Sequence, residues 1–97
     1  MVEVKQVEVD GKMALGLKVE LPESPPLLVV VGKRGFVMCG FLNVEVAQKL
    51  QVAAAMVSGV KDFQDVLEAE IKAATSKAKE LGVNLGMKGK EALKKLV

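Results

Sequence analysis

Two uninterrupted apolar segments, residues 27–31 and residues 36–42, constrain the fold of this chain more than any other feature. A strand that is apolar at every position is covered by protein on both of its faces. The four residues between the segments, Gly-Lys-Arg-Gly, are typical of a turn. The sequence therefore predicts two neighbouring central strands of one sheet.

The residues before these segments also predict β-structure. Large apolar residues occupy alternate positions in residues 13–21, which is the spacing of a strand with one buried face. In residues 2–9 the apolar positions change parity near residues 5–6, a change that a β-bulge would accommodate. The Asp-Gly pair at residues 10–11 is typical of a hairpin turn, because both residue types tolerate a positive φ angle. We therefore predict a hairpin, then a proline-rich loop at residues 22–26, then the central strands.

The second half of the chain predicts helices and one more strand. Asn43 is a typical N-cap for a short helix that ends near Leu50. Residues 52–57 are mostly apolar and predict a fifth strand. This strand is expected to lie parallel to the second apolar segment, because a helix connects the two.

Residues 62–81 carry apolar side chains at helical spacing behind the capping residue Asp62. The spacing fits one long helix or two helices joined near Ala69 equally well. A last helix begins near Gly89. Together the segments predict an α+β fold: an antiparallel meander of about four strands plus one crossover strand, with the helices packed on one face. Residues 1–97 form a single domain.

The apolar content predicts a partner. Of the 97 residues 51% are hydrophobic, but only three are aromatic, so Val, Leu, Ala and Met must build the core. If helices cover one face of the sheet, the two double-sided strands leave apolar side chains on the other face that need a cover. A second copy of the chain is the simplest cover, and we predict a homo-oligomer.

Several function classes are excluded by residue types that the chain lacks. It has no His and one Cys, which excludes zinc sites with Cys and His ligands and any catalytic pair of Ser or Cys with His. It has neither a P-loop nor a GxGxxG segment, and we expect no metal and no cofactor. The single Cys fits a reducing compartment, and no apolar run approaches the ~20 residues that cross a bilayer. We therefore expect a cytoplasmic protein without a membrane partner.

The lysines near the C-terminus raise the question of nucleic acid binding. The net charge of +2 is too balanced to imply a polyanionic partner, and no aromatic residue lies among these lysines to stack on a base. Weak RNA binding is therefore the least favoured function. Phosphate binding by the glycine-rich residues 82–89 is a weak alternative to a plain connection between helices. The lysines concerned are Lys88, Lys90, Lys94 and Lys95.

Residues 35–43 carry the one specific functional hypothesis. Cys39 is expected late on a buried strand, beside Gly40, whose missing side chain lets a ligand or another backbone approach closely. The N-terminal amides of the helix that Asn43 caps would stabilise an anion or a nearby thiolate. The leading prediction is a pocket near Cys39 that binds a small ligand or a protein partner. Its candidate residues are Met38, Cys39, Gly40, Asn43, Lys33 and Arg34.

Two alternatives remain open for Cys39. In the first, the protein is a thiol-dependent enzyme in which Cys39 is a nucleophile or a redox centre, assisted by the positive charge of Lys33 or Arg34. In the second, Cys39 is a small core residue, which is the usual environment of a free cysteine. An activated thiolate reacts with alkylating reagents in the folded protein, whereas a core cysteine reacts only after unfolding.

The segment Met38-Cys39-Gly40 and the blocks that follow it resemble a known family. The blocks are Gly59-Val60, Asp62, Val66-Leu67, Ala78, Leu81-Gly82-Val83, Gly86-Met87, Gly89 and Glu91-Ala92-Leu93. In this order, and over almost the whole chain, they resemble the YunC-like family of bacterial and archaeal proteins, domain of unknown function 1805. The resemblance implies an uncharacterised cytoplasmic α+β protein, and it brings no catalytic or binding residues because the family has no established activity. Asn43 departs from the family pattern, in which Asp is expected.

Overall fold

Six strands and four helices make up the computed structural model, which describes residues 1–97. The strands form one sheet whose spatial order follows the chain order. All neighbouring strands are antiparallel except the fourth and fifth, which are parallel. The predicted α+β fold, a meander with a crossover strand, is therefore confirmed. The elements are β1 (Val2–Val9), β2 (Lys12–Val19), β3 (Leu27–Val31), β4 (Phe36–Met38), α1 (Val44–Lys49), β5 (Ala54–Met56), α2 (Phe63–Glu68), β6 (Ala73–Ala74), α3 (Ser76–Glu80) and α4 (Gly89–Leu96).

β1 and β2 form the hairpin that the sequence predicts. The turn residues Asp10 and Gly11 have φ angles of 52° and 78°, as a two-residue turn between twisted strands requires. Every residue of β1 has a partner in β2, and the register is unbroken from one end to the other. The predicted β-bulge near residues 5–6 is therefore wrong.

The change of parity in β1 has a different cause. Val7 and Val9 are buried in the core that α2 and α4 cover, whereas Val2 and Val4 are exposed. Because side chains alternate along a strand, the two pairs lie on opposite faces of the sheet. One straight strand therefore places apolar residues on both faces, at different points along its length.

β2 places its small residues, rather than its large ones, toward the helices. Ala14 and Gly16 are buried, while Met13 and Leu15 are 59% and 48% exposed. Phe63 of α2 requires this arrangement, because a Cβ on Gly16 would lie 2.7 Å from its ring. The large residues of β2 share one face, as predicted, but the helices that cover the main core lie on the other.

The sheet carries a hydrophobic core on each face. The larger core contains Val37 and side chains of α2, α3 and α4. The smaller core contains Met38, Ala54 of β5 and Ala47 of α1. The helices therefore do not all pack on one face as predicted. α1 lies on the opposite face, because the crossover from β4 to β5 passes over that side.

β4 is shorter than the strand predicted for residues 36–42. It ends at Met38, and a turn follows in which the N–H of Leu42 donates to the carbonyl of Cys39 at 3.2 Å. Gly40 explains the early end, because glycine weakens a strand interior and has no side chain to pack. The turn leads into α1.

Residues 62–81 form two helices. α2 ends at its C-cap Ala69, and β6 and the N-cap Thr75 separate it from α3. The break at Ala69 agrees with the second of the two alternatives, but β6 was not predicted, because a two-residue strand has no periodic pattern. Asp62 caps α2 as predicted, and its Oδ1 accepts a hydrogen bond from the N–H of Asp65 at 2.8 Å.

Thr75 is a buried polar residue that joins three segments. Its hydroxyl donates to the carbonyl of Val52 at 2.7 Å and accepts from the N–H groups of Ala54 at 3.0 Å and Ala78 at 3.3 Å. One side chain thus caps α3 and holds it against β5.

Thr75→Val is expected to lower the free energy of unfolding by about 2–3 kcal/mol, because it leaves the buried N–H of Ala54 and the carbonyl of Val52 without a partner. Thr75→Ser keeps the hydroxyl and is the matched control, with an expected cost of about 1 kcal/mol for the lost methyl group. Urea denaturation measures both values. A valine variant as stable as the serine variant would show that these hydrogen bonds contribute nothing.

Gly89→Ala is expected to destabilise the protein by about 3 kcal/mol, because the new Cβ would overlap the backbone carbonyl oxygen of Val66 in α2. In an uncrowded helix the same substitution stabilises by roughly 0.5–1 kcal/mol, so the sign of the change is informative. Lys94→Ala, at an exposed position of the same helix, is the control and should change stability by less than about 0.5 kcal/mol. A stabilised Gly89→Ala variant in urea denaturation would contradict the close packing of α4 on α2.

Candidate functional site

Cys39 lies in the larger core, directly after β4. Its backbone N–H donates to the carbonyl of Leu28 at 3.0 Å, and its Sγ accepts from the N–H of Leu28 at 3.3 Å. Only 3% of its surface is exposed. These are the contacts of a cysteine that packs as a small apolar residue.

A cavity of about 290 Å³ opens beside Cys39, where the parallel strands β4 and β5 end. The carboxyl ends of parallel strands commonly bind ligands in open sheets, because the loops that leave them diverge. The volume is at the lower end of the range for small-molecule sites. The walls come from the loop before β3 and from the segments that follow β4 and β5. The lining residues are Pro25, Pro26, Cys39, Gly40, Phe41, Ser58, Gly59 and Val60.

The backbone supplies most of the hydrogen-bond donors around this cavity. No lining residue carries a formal charge, and only Cys39 and Ser58 have a polar side-chain atom. The backbone N–H groups of the remaining non-proline lining residues, and that of Ser58, donate no hydrogen bond within the chain. Because free N–H groups in a concave surface favour acceptor atoms, these N–H groups can bind oxygen atoms of a ligand.

Two glycines keep the cavity open. Neither Gly40 nor Gly59 has a non-neighbouring heavy atom within 4 Å of the position that a Cβ would take. Gly59 also has a φ angle of 71°, a conformation that other residues adopt only with strain. A side chain at Gly40 would therefore fill free space, whereas one at Gly59 would also disturb the backbone.

The predicted pocket residues do not converge on one cavity. Met38 is buried in the smaller core, on the opposite side of the sheet from Cys39. Asn43 caps α1, with its Oδ1 accepting from the N–H of Glu45 at 2.8 Å, and it lines a separate cavity of about 430 Å³. Of the six candidate residues, only Cys39 and Gly40 line the cavity beside Cys39, and only Gly40 lines both cavities.

Lys33 and Arg34 lie at the opposite end of β4 from Cys39. The guanidinium of Arg34 donates to the carbonyl of Lys95 at 2.7 Å, and its backbone N–H donates to the carbonyl of Leu96 at 2.8 Å. Arg34 thus satisfies carbonyl groups at the C-terminus of α4, where a positive charge is favourable. Within one chain these two residues do not supply a positive charge to the thiol.

The half of the cavity that follows β5 was not predicted from the sequence. Ser58 has no role in the predictions, Gly59 appears there only as part of the family resemblance, and the two prolines are interpreted only as a surface loop. A signal was present: Cys39-Gly40 follows β4 directly, and Ser58-Gly59 follows β5 after one residue, Val57. Such pairs at neighbouring strand ends allow a ligand to approach the backbone closely.

Lys88 and Lys90 do not form a free basic surface. Their Nζ atoms lie 3.7 Å and 3.4 Å from carboxylate oxygens of Glu68. The backbone N–H of Lys88 also donates to the carboxylate of Glu91 at 3.1 Å. Protein carboxylates therefore lie where a phosphate would bind at the start of α4, and they oppose both the RNA and the phosphate interpretations.

The side chains bring together no group of three or more His, Cys, Asp or Glu residues that could hold a metal ion. None of the helices combines the length and the apolar character that a membrane crossing requires. The cavity beside Cys39 is the candidate site of this protein.

Comparisons with known proteins give the family of the chain. Residues 38–96 match the family described as Domain of unknown function (DUF1805). The chain is 31% identical over 101 residues to the uncharacterized protein YunC of Bacillus subtilis (strain 168), covering 100% of this chain and 99% of that protein. The crystal structure of TA1206, a protein of unknown function from Thermoplasma acidophilum, is similar with a TM-score of 0.94 and 34% identity, covering 100% of this chain and 94% of that chain.

The family match spans more than half of the chain and includes the segment that contains Cys39. The similarity to YunC extends over the full length of both proteins, and the similarity to TA1206 includes the whole fold. The relatives are themselves described as uncharacterized or of unknown function, so they supply no activity. The chain therefore belongs to the DUF1805 family, as the resemblance of its sequence implied.

Proposed function

We propose that the protein binds a small molecule in the cavity beside Cys39. The observation that supports this most is the position of the cavity at the ends of the one parallel strand pair of the sheet. The chain leaves β4 toward α1 on one face of the sheet and leaves β5 toward α2 on the other face. The space between two such strand ends is a common ligand site. The free backbone N–H groups around that space give a ligand something specific to bind.

The chemistry of the cavity favours a ligand with acceptor oxygens at one end and an apolar body. Backbone N–H groups bind carboxylate or carbonyl oxygens, and Pro26, Phe41 and Val60 provide an apolar wall. No charged side chain lines the cavity, so neither a strong phosphate contact nor an ion pair with an ammonium group is available. A small monocarboxylate matches these features.

Straight-chain monocarboxylates from acetate to hexanoate are expected to bind with increasing affinity. Each added methylene group contributes about 0.8 kcal/mol when buried, which is roughly a fourfold decrease in Kd. Titration followed by proton–nitrogen correlation spectra measures the affinity and locates the site. The amide resonances of Gly40, Ser58 and Gly59 are expected to shift and to saturate.

Primary amines of the same chain lengths are the control ligands, because an ammonium group cannot accept a hydrogen bond. Gly40→Val fills the free space of the cavity and is expected to raise the Kd at least about tenfold. Lys12→Val, at an exposed position of β2 that does not line the cavity, should leave the Kd unchanged. Saturating shifts with the amines, or undiminished binding by Gly40→Val, would contradict the proposal.

A thiol-dependent enzyme is the second candidate, because Cys39 lines the cavity. Its burial and the hydrogen bond from Leu28 oppose reactivity. We expect iodoacetamide to alkylate Cys39 in the folded protein at least about 100-fold more slowly than in urea-unfolded protein at the same pH. Mass spectrometry of timed samples gives both rates.

Cys39→Ala separates the two candidates further. If the thiol only packs, this variant keeps monocarboxylate binding within about twofold, since the contact that is lost, from the N–H of Leu28 to the Sγ, lies within the protein and not at the ligand. Rapid alkylation of the folded wild-type protein would instead favour the enzyme, and electrophilic substrates would then be the compounds to test.

We also propose that the protein works in the cytoplasm. Its one thiol is free and buried, which fits a reducing compartment. Fractionation of cells followed by detection of the protein tests the location, and recovery outside the cytoplasm would contradict it.

A further inference from the structure

The β1–β2 hairpin carries charges on one face and large apolar residues on the other. Glu3 and Lys18 are cross-strand partners, and Lys5 lies on the same face, the one that α2 and α4 cover elsewhere. On the opposite face Val4 and Leu17 are cross-strand partners. Charged side chains are expected on the face of a hairpin that contacts water. The apolar face is therefore the one that we expect to be buried against other protein.

The uncovered apolar side extends over three strands, and we call it the bare face. Its side chains form rows across the sheet, one of which runs from Val4 to Leu17 and then reaches Val29, where the smaller core begins. The exposed members are between 39% and 62% exposed, although they are large and apolar. The smaller core, to which α1 belongs, covers this side of the sheet over β4, β5 and the part of β3 that carries Leu27 and Val29, and it leaves Val31 exposed. The bare face consists of Val2, Val4, Met13, Leu15, Leu17 and Val31.

The bare face is large enough for a stable interface. β1 and β2 contribute four side-chain positions each and β3 contributes Val31; at spacings of about 4.8 Å between strands and about 6.8 Å along a strand, these positions cover roughly 300 Å² of sheet plane. Two such faces contribute about 600 Å² of plane. Because side chains project from that plane, the accessible area is larger, toward the lower end of the roughly 1,200–2,000 Å² of specific protein interfaces.

The space above the bare face is deep enough to hold a second sheet. α1 fills part of that space, with a helix diameter of about 10–12 Å. Packed sheets are separated by about 10 Å, so the sheet of a second molecule fits in the same space beside α1. The free width is that of β1 and β2 together with the end of β3 at Val31, and a second copy presents the same surface.

We infer that two copies of the chain pack bare face against bare face around a two-fold axis. Glu8 is the one charged residue in the side-chain rows of the bare face, so the surface offers no charge pattern to a different partner. Apart from Glu8 and the neighbouring Gln6 the surface is apolar, and an apolar surface can be complementary to itself, as a two-fold interface requires. This interface does not depend on the proposed ligand.

Light scattering during gel filtration tests the inference. The wild-type protein is expected to have twice the 10.3 kDa mass of the chain at micromolar concentration. Leu15→Lys places a charge in the middle of the interface and should weaken the dimer at least about 100-fold, because a buried unpaired charge is strongly unfavourable. Leu85→Lys is the matched control. Leu85 is a similarly exposed apolar residue, but it lies in a loop outside the bare face, so this variant should remain dimeric.

Val4→Lys is a second interface variant and should give the same result if Leu15→Lys fails to fold. Circular dichroism and urea denaturation establish that each variant is folded. A wild-type protein that stays monomeric at millimolar concentration overturns the inference, and so does a dimer that both interface variants leave intact.

Oxidation of methionines distinguishes the bare face from other ways of forming a dimer. Met1 and Met13 are both exposed in the single chain. In the wild-type dimer, hydrogen peroxide should oxidise Met13 at least about tenfold more slowly than Met1, and in folded Leu15→Lys the two rates should be similar. A wild-type dimer with a fully reactive Met13, as pairing through the free edge of β1 would give, overturns the inference.

Discussion

The hydroxyl group of Thr75 holds together the part of the fold that departs from a simple meander. By bonding to the carbonyl of Val52 and to the N–H groups of Ala54 and Ala78, it fixes α3 to β5 and gives β5 a partner on the side away from β4. β5 has only three residues, and the bond from its Ala54 N–H to the hydroxyl adds to its pairing with β4 and β6. The parallel pair of β4 and β5, and the cavity at its end, depend on that attachment.

Local chemistry explains which elements could be predicted from the sequence. The turn at Asp10 and Gly11, the caps at Asn43 and Asp62, and the crossover to a parallel strand each depend on a few adjacent residues, and each was predicted correctly. β6 was missed because two alanines carry no pattern. The early end of β4 was missed because an apolar run does not show where hydrogen bonding stops.

The candidate site was harder to predict than the fold. Periodicity shows which positions share a face of a strand, but it does not show which face the helices cover, and so the large residues of β2 were placed toward the core. Met38 and Cys39 are neighbours in sequence and lie on opposite sides of the sheet, which alternation along β4 implies. The cavity forms where two strand ends and a proline-rich loop lie close together in the fold. The spacing of residues in the sequence does not predict that these segments are close.

The position of α4 has a consequence for how the chain acquires its structure. Neighbouring strands are also neighbours along the chain, so the meander forms through short-range contacts that close quickly. Leu93 and Leu96 of α4 complete the core beneath that sheet, and the carbonyl of Leu96 bonds to the N–H of Arg34, 62 residues earlier. Because α4 follows all six strands along the chain, the sheet can form before the helix that completes its core has been synthesised. Docking of α4 then determines when the domain becomes resistant to proteases and to aggregation.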